Sequence, residues 1–238
     1  TVRDSETGVA LPVGAGASLE ILRDGETVYE RSPWLMLSQP MGFHLGNNVS
    51  LDGDGEYVAR LTLGEPDVLL TGPLEGRFEG SGSETAELEF EYSIDERNSI
   101  ECEEFAEERW GGAGAVEPMM NRGGRSIEGA TEVHADDDTV FVFENDDGYL
   151  AVHALTPHNR HALPSMALDA VVERDGETVF ADSLVPTVDG RGYHYSADDY
   201  EAQEGDTVSV DVVTPSQVAR HTGYQTAFLG NPSVEVTL

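Results

Sequence analysis

One phrase occurs twice in this chain, about 150 residues apart. The first copy runs Ala10-Leu11-Pro12, Arg23-Asp24-Gly25-Glu26-Thr27-Val28-Tyr29 and Gly42-Phe43-His44. The second runs Ala162-Leu163-Pro164, Arg174-Asp175-Gly176-Glu177-Thr178-Val179-Phe180 and Gly192-Tyr193-His194. Thr71-Gly72 lines up with Thr222-Gly223, and the spacing holds to within one residue. A register kept this long is an internal duplication, so each copy serves as a control for the other. What both share is scaffold, and what only one has is a candidate for function.

The local pattern within each copy is that of strands. Short runs of period-2 alternation recur at Ser18 to Leu22, Glu56 to Leu63, Thr85 to Tyr92, Met166 to Val172 and Thr207 to Val213. This periodicity predicts antiparallel sheets. Asp24-Gly25, Asp175-Gly176 and Asp147-Gly148 read as hairpin turns, where glycine supplies a positive φ. The expected fold is all-β, with two tandem immunoglobulin-like β-sandwiches over residues 1–122 and 126–238. Thr1 reads as mid-strand, so the first sandwich is expected to have a truncated N-terminal edge. An extra acidic segment, Asp95 to Arg109, reads as helical, and Met119 to Arg125 as the linker.

The charge is extreme: 46 acidic residues against 13 basic ones, a net −33, and every basic residue is arginine. The acids are interleaved with apolar strands rather than gathered in tracts, which favours a folded chain over a disordered one. At low salt such a surface repels itself, whereas in molar salt the screening length falls to about 3 Å. A halophilic protein is therefore expected, with no need of a basic partner. Nucleic acid is excluded, because its phosphates require Lys and Arg. The single cysteine, Cys102, sits among acids and has no intrachain disulfide partner.

Histidine separates the copies. The first has His44, whereas the second has His153, His158, His161, His194 and His221, with Met166 among them. By the repeat, His221 faces Leu70 and His161 faces Val9. Imidazole with thioether suits copper, and imidazole with carboxylate suits iron or zinc. Loops at one end of a sandwich can converge, so at least three of His158, His161, His194 and His221 are read as candidate ligands of one metal, against the alternative of ordinary loop histidines hydrogen-bonding the backbone. Met36 and Met41 flank His44 as possible thioether donors. No nucleophile elbow, phosphate loop or dinucleotide fingerprint is present, and no enzymatic activity is expected.

Pro40-Met41-Gly42-Phe43-His44-Leu45-Gly46-Asn47-Asn48-Val49, followed by Gly55-Glu56-Tyr57, resembles a stretch of the periplasmic iron-transport proteins that bind copper. These are immunoglobulin-like partners of high-affinity ferrous-iron permeases. The opening Val2…Asp4…Thr7-Gly8…Leu11-Pro12 is also similar to theirs, and Gly192-Tyr193-His194-Tyr195 is a fainter echo. The resemblance implies His44 as a ligand, with Met36 or Met41 as the thioether. It further implies an extracytoplasmic, membrane-anchored protein that takes up copper or iron ions and serves a membrane iron permease. A structural or adhesive cell-surface domain pair with no metal role is the alternative. Imidazole ligation predicts binding that weakens below about pH 6.5.

Overall fold

The computed structural model describes residues 2–12, 14–39, 42–79, 82–94, 130–136, 138–197 and 200–238. The expected helix at 95–109, the linker at 119–125, Cys102 and Met41 lie outside these residues. The first copy contributes β1 (Ser18–Arg23), β2 (Glu26–Arg31), β3 (Trp34–Ser38), β4 (Gly42–Gly46), β5 (Gly55–Leu63), β6 (Leu69–Leu70) and β7 (Glu84–Tyr92). There follow β8 (Thr131–His134), β9 (Val140–Asp146), β10 (Tyr149–Leu155), β11 (Ala167–Arg174), β12 (Glu177–Ser183), β13 (Val185–Asp189), β14 (Gly192–Ser196), β15 (Thr207–Thr214), β16 (Ala219–Arg220) and β17 (Ser233–Thr237). The described chain is all-β, with one 3-10 turn at Gly72–Leu74 and no α-helix.

The duplication is visible strand for strand between β1–β7 and β11–β17. A sheet of order β2-β1-β5-β7 matches one of order β12-β11-β15-β17. Both hairpins turn on an Asp-Gly pair with positive φ, 52° and 81° at Asp24-Gly25 and 54° and 82° at Asp175-Gly176. Both also slip register at the matching place, between Ile21 and Leu22 and between Val172 and Glu173. Alternation sets the inward face: in β11, Leu168, Ala170 and Val172 are buried while their neighbours are not.

The copies do not close around separate cores. Residues Leu11, Leu37, Phe43 and Leu74 of the first copy belong to the same buried cluster as Phe141, Leu150, Val208 and Val236 of the second. Among the described residues, a small satellite cluster of Ile21, Leu51 and Tyr57 is what the first copy adds on its own. The edge strands are also exchanged. β6 of the first copy pairs in parallel with β13 of the second, and β16 of the second pairs in parallel with β3 of the first. The result is a six-stranded sheet, β6-β13-β14-β10-β9-β8, and a three-stranded one, β16-β3-β4.

This reciprocity fixes the register between the copies. Leu69 lies opposite Thr187 as Ala219 lies opposite Met36. The Thr71 N–H donates to Val188 O at 3.1 Å, as the His221 N–H donates to Leu37 O at 3.1 Å. His221 is therefore the counterpart of Thr71, not of Leu70 as the sequence spacing suggested. The slip arises because the β3–β4 connection is one residue longer than the β13–β14 connection: Ser38 pairs with Gly42, whereas Asp189 pairs with Gly192.

Candidate functional site

The β3–β4 pair sets the first constellation. Met36 and His44 are direct cross-strand partners and so share one face of the sheet. The chain leaves β16 alongside β3, and the next residue, His221, comes to the same face. Its Nε2 lies 3.1 Å from Nε2 of His44, with the rings edge to face at 75°. Glycine at residue 46 leaves room for both the thioether and the imidazole. A Cβ at Gly46 would stand 3.0 Å from Met36 Sδ and 3.7 Å from His44 Cδ2. All three side chains are half-buried.

Hydrogen bonding fixes the tautomers. The His44 Nδ1–H donates to Gly42 O at 3.0 Å, which leaves Nε2 with its lone pair facing His221. The His221 Nε2–H then donates to it, while the Thr222 hydroxyl donates to His221 Nδ1 at 3.3 Å. Burial holds the His44 pKa below its ordinary value, and the neighbouring His221 lowers it further, against the opposing Gly42 carbonyl. The shared proton between the rings is the one a cation would replace. Two imidazole nitrogens bound at about 2.0–2.1 Å to one ion stand about 3 Å apart, which is the spacing found.

The second copy repeats the frame with a different outcome. The His194 Nδ1–H donates to Gly192 O at 3.0 Å, the same bond His44 makes to Gly42. Both glycines have positive φ, 93° and 62°, which turns each carbonyl toward the ring two residues on. The Nε2 of His194, however, accepts from the Tyr149 hydroxyl at 2.7 Å. The cross-strand partner is Thr187 in place of methionine. His194 is fully buried, and His153 packs 5.4 Å away.

The polar groups around this second histidine are already paired with one another. The Arg191 guanidinium lies 4.9 Å over the Tyr149 ring and pairs with Asp189, Asp146 and Glu144 at 2.5, 2.6 and 3.3 Å. His153 Nε2 approaches Glu144 Oε2 at 3.5 Å and helps hold that carboxyl below its usual range, as does Arg191. Burial first, then the proximity of His153, depress the His194 pKa to about 4. This histidine is a neutral, satisfied member of a buried network.

The remaining sequence candidates are dispersed. His161 is buried against Gly42, its Cε1 3.0 Å from where a Cβ would be, with Nε2 3.4 Å from Gln39 O. His158 is exposed on the turn after β10. Met166 belongs to the apolar core. The expectation that at least three of His158, His161, His194 and His221 meet at one metal is therefore corrected. Among the described residues no group of three or more His, Cys, Asp and Glu is placed to hold a metal ion. The physical reason is the exchange of β16, which carries His221 to the other copy. Sequence reading assigned His44 and His221 to different sites and gave no role to Tyr149, which occupies the His194 lone pair.

Residues 121–237 match a family described as a domain of unknown function (DUF7350). No curated protein matches the chain.

Proposed function

We propose that this chain is an extracytoplasmic metal-binding protein that captures copper at His44, His221 and Met36 in support of metal uptake. The observation that carries the reading is the His44–His221 pair, 3.1 Å between Nε2 atoms, with the Met36 thioether on the same sheet face. Two imidazoles and a thioether form a borderline-to-soft donor set, which favours copper over iron. The resemblance of residues 40–49 to periplasmic iron-transport proteins supports the same assignment, an extracytoplasmic, membrane-anchored setting and a membrane iron permease as recipient. Binding and release need no catalytic step.

The test is a titration of the purified chain in molar salt with copper(I), copper(II), iron(II) and manganese(II). One copper per chain is expected, with tenfold or greater loss of affinity in His44→Ala and in His221→Ala. No copper binding, or binding indifferent to both substitutions, would overturn the reading.

A further inference from the structure

The faces that carry His44 and His194 are built differently. Direct cross-strand pairing puts Trp34 with Gly46, and Met36 with His44, on one face of β3 and β4. The matching positions of β13 and β14 hold Val185 with Ser196 and Thr187 with His194. There the Thr187 and Ser196 hydroxyls share a hydrogen bond of 2.8 Å, and both residues are buried. In the first copy methionine stands for the threonine, glycine for the serine and tryptophan for the valine. Three neighbouring positions thus differ together around the same Gly-aromatic-His frame.

The three differences share a chemical direction. Where the second copy closes the face with a hydroxyl pair, the first places a sulfur on the same diagonal, Met36 Sδ lying 3.0 Å from where a Cβ of Gly46 would stand. Directly opposite Gly46 is Trp34, 62 % exposed, although an indole ordinarily buries most of its large surface. The glycine has no side chain to stand between that indole and the thioether. Pairing also sets the order along the face. His221 follows Arg220, the partner of Leu37, so it lies toward the Ser38 end of β3; the Met36–His44 pair is in the middle, and Trp34 is at the other end.

We propose that Trp34 is a further wall of the copper site and selects the copper(I) state, its indole closing on the ion from the side away from His221. The inference rests on copper capture at His44, His221 and Met36. Copper(I) carries a single charge, is held by soft thioether donors and takes few ligands, so an aromatic face can complete its surroundings by cation–π attraction. Copper(II) favours tetragonal nitrogen and oxygen donors, and an indole offers it neither. The ion enters and leaves as copper(I), with no electron transferred and no bond within the protein broken.

The test compares the parent chain with Trp34→Leu and Trp34→Phe in molar salt, by chelator competition for copper(I) and by direct titration with copper(II). Trp34→Leu is expected to bind copper(I) about fivefold or more weakly, Trp34→Phe to recover part of that loss, and both to bind copper(II) within about twofold of the parent. In a Trp110→Phe background, which removes the other of the two tryptophans, silver(I) serves as a closed-shell stand-in for copper(I). It is expected to quench the Trp34 emission, and to lose that effect when His44→Ala is added. The inference is overturned, with copper capture intact, if Trp34→Leu binds copper(I) as the parent does while His44→Ala loses its affinity. It is overturned equally if Trp34→Leu weakens copper(I) and copper(II) alike, if Trp34→Phe loses as much as Trp34→Leu, or if silver(I) leaves the emission unchanged. Failure of the parent to bind copper(I) at all would instead refute copper capture itself, and this inference with it.

Discussion

His44 and His221, 177 positions apart in sequence, meet through their Nε2 atoms at 3.1 Å across the boundary between the two copies of the repeat. Neither copy supplies both rings, so the pair depends on the exchanged strand β16 as much as on either imidazole. Shortening the connection that lets Ala219 pair with Met36 should abolish copper binding while both histidines remain in the chain. Deleting Gln217 and Val218 and repeating the copper titration checks this, and retention of full affinity would refute it.

Met36 and Gly46 make a second test of the same face. Met36→Leu keeps volume and removes the sulfur, so copper(I) affinity should fall by about tenfold or more with stability changed by less than about 1.5 kcal/mol. Gly46→Ala should give a similar loss by displacing the thioether, since the new methyl would stand 3.0 Å from the sulfur. Competition with a chromogenic copper(I) chelator measures both.

The buried network of the second copy predicts a pH dependence of stability. His194 has a folded pKa depressed to about 4, against about 6.5 when unfolded, so the fold favours its neutral form. That stabilisation is complete above about pH 6.5 and is lost as pH falls through about 4. Its size is on the order of 3 kcal/mol. Urea unfolding at intervals from pH 7.5 to 4 should show the decline, and His194→Gln, which can still accept from Tyr149, should flatten it. The same variant should bind copper as well as the parent.

Arg174 and Asp206 should be the costliest ion pair to break. The Asp206 carboxylate is fully buried and accepts from Arg174 Nε and Nη2 at 2.7 and 2.8 Å, from the Tyr200 hydroxyl and from the Gln203 N–H at 2.8 Å. Arg174 above all, then Tyr200, hold its pKa far below the usual carboxylate range against the cost of burial. Arg174→Met strands this charge and should cost about 3–5 kcal/mol. In the first copy the matching Arg23 meets the Tyr57 hydroxyl instead, at 3.1 Å, and Arg23→Met should cost clearly less. Equal losses in the two variants would contradict this account.

Net charge predicts the response to salt. With −33 on 238 residues, raising NaCl from 0.1 to 2 M shrinks the screening length from about 10 to about 3 Å or less and should raise Tm steeply. A thermal melt series measures it, and a flat profile would remove the halophilic reading.

Much of the architecture was readable because it is local. Period-2 alternation located β5, β7, β11 and β15, and Asp-Gly pairs located the β1–β2, β9–β10 and β11–β12 hairpins, since both signals arise within a few residues. The exchange of β6 and β16 was not readable. Each is two residues long, Leu69–Leu70 and Ala219–Arg220, and parallel pairing with a distant strand leaves no mark on so short a segment. The site inherited that gap: His44 and Met36 were found as neighbours, while the ring that completes them was assigned elsewhere. For His153 a signal did exist. Tyr149 to Leu155 is apolar on both faces, the pattern of a strand covered from both sides, and a histidine there is buried rather than offered to a ligand.

The reciprocal pairing of β6 with β13 and of β16 with β3 has a consequence for concentration. Where two imidazoles come from separate molecules, dilution separates them and occupancy follows the square of protein concentration. Here both arrive on one polypeptide, so their encounter is intramolecular and their effective molarity is set by the fold alone. A dilute, strongly self-repelling protein thereby keeps a two-histidine centre that like-charged separate chains would struggle to assemble.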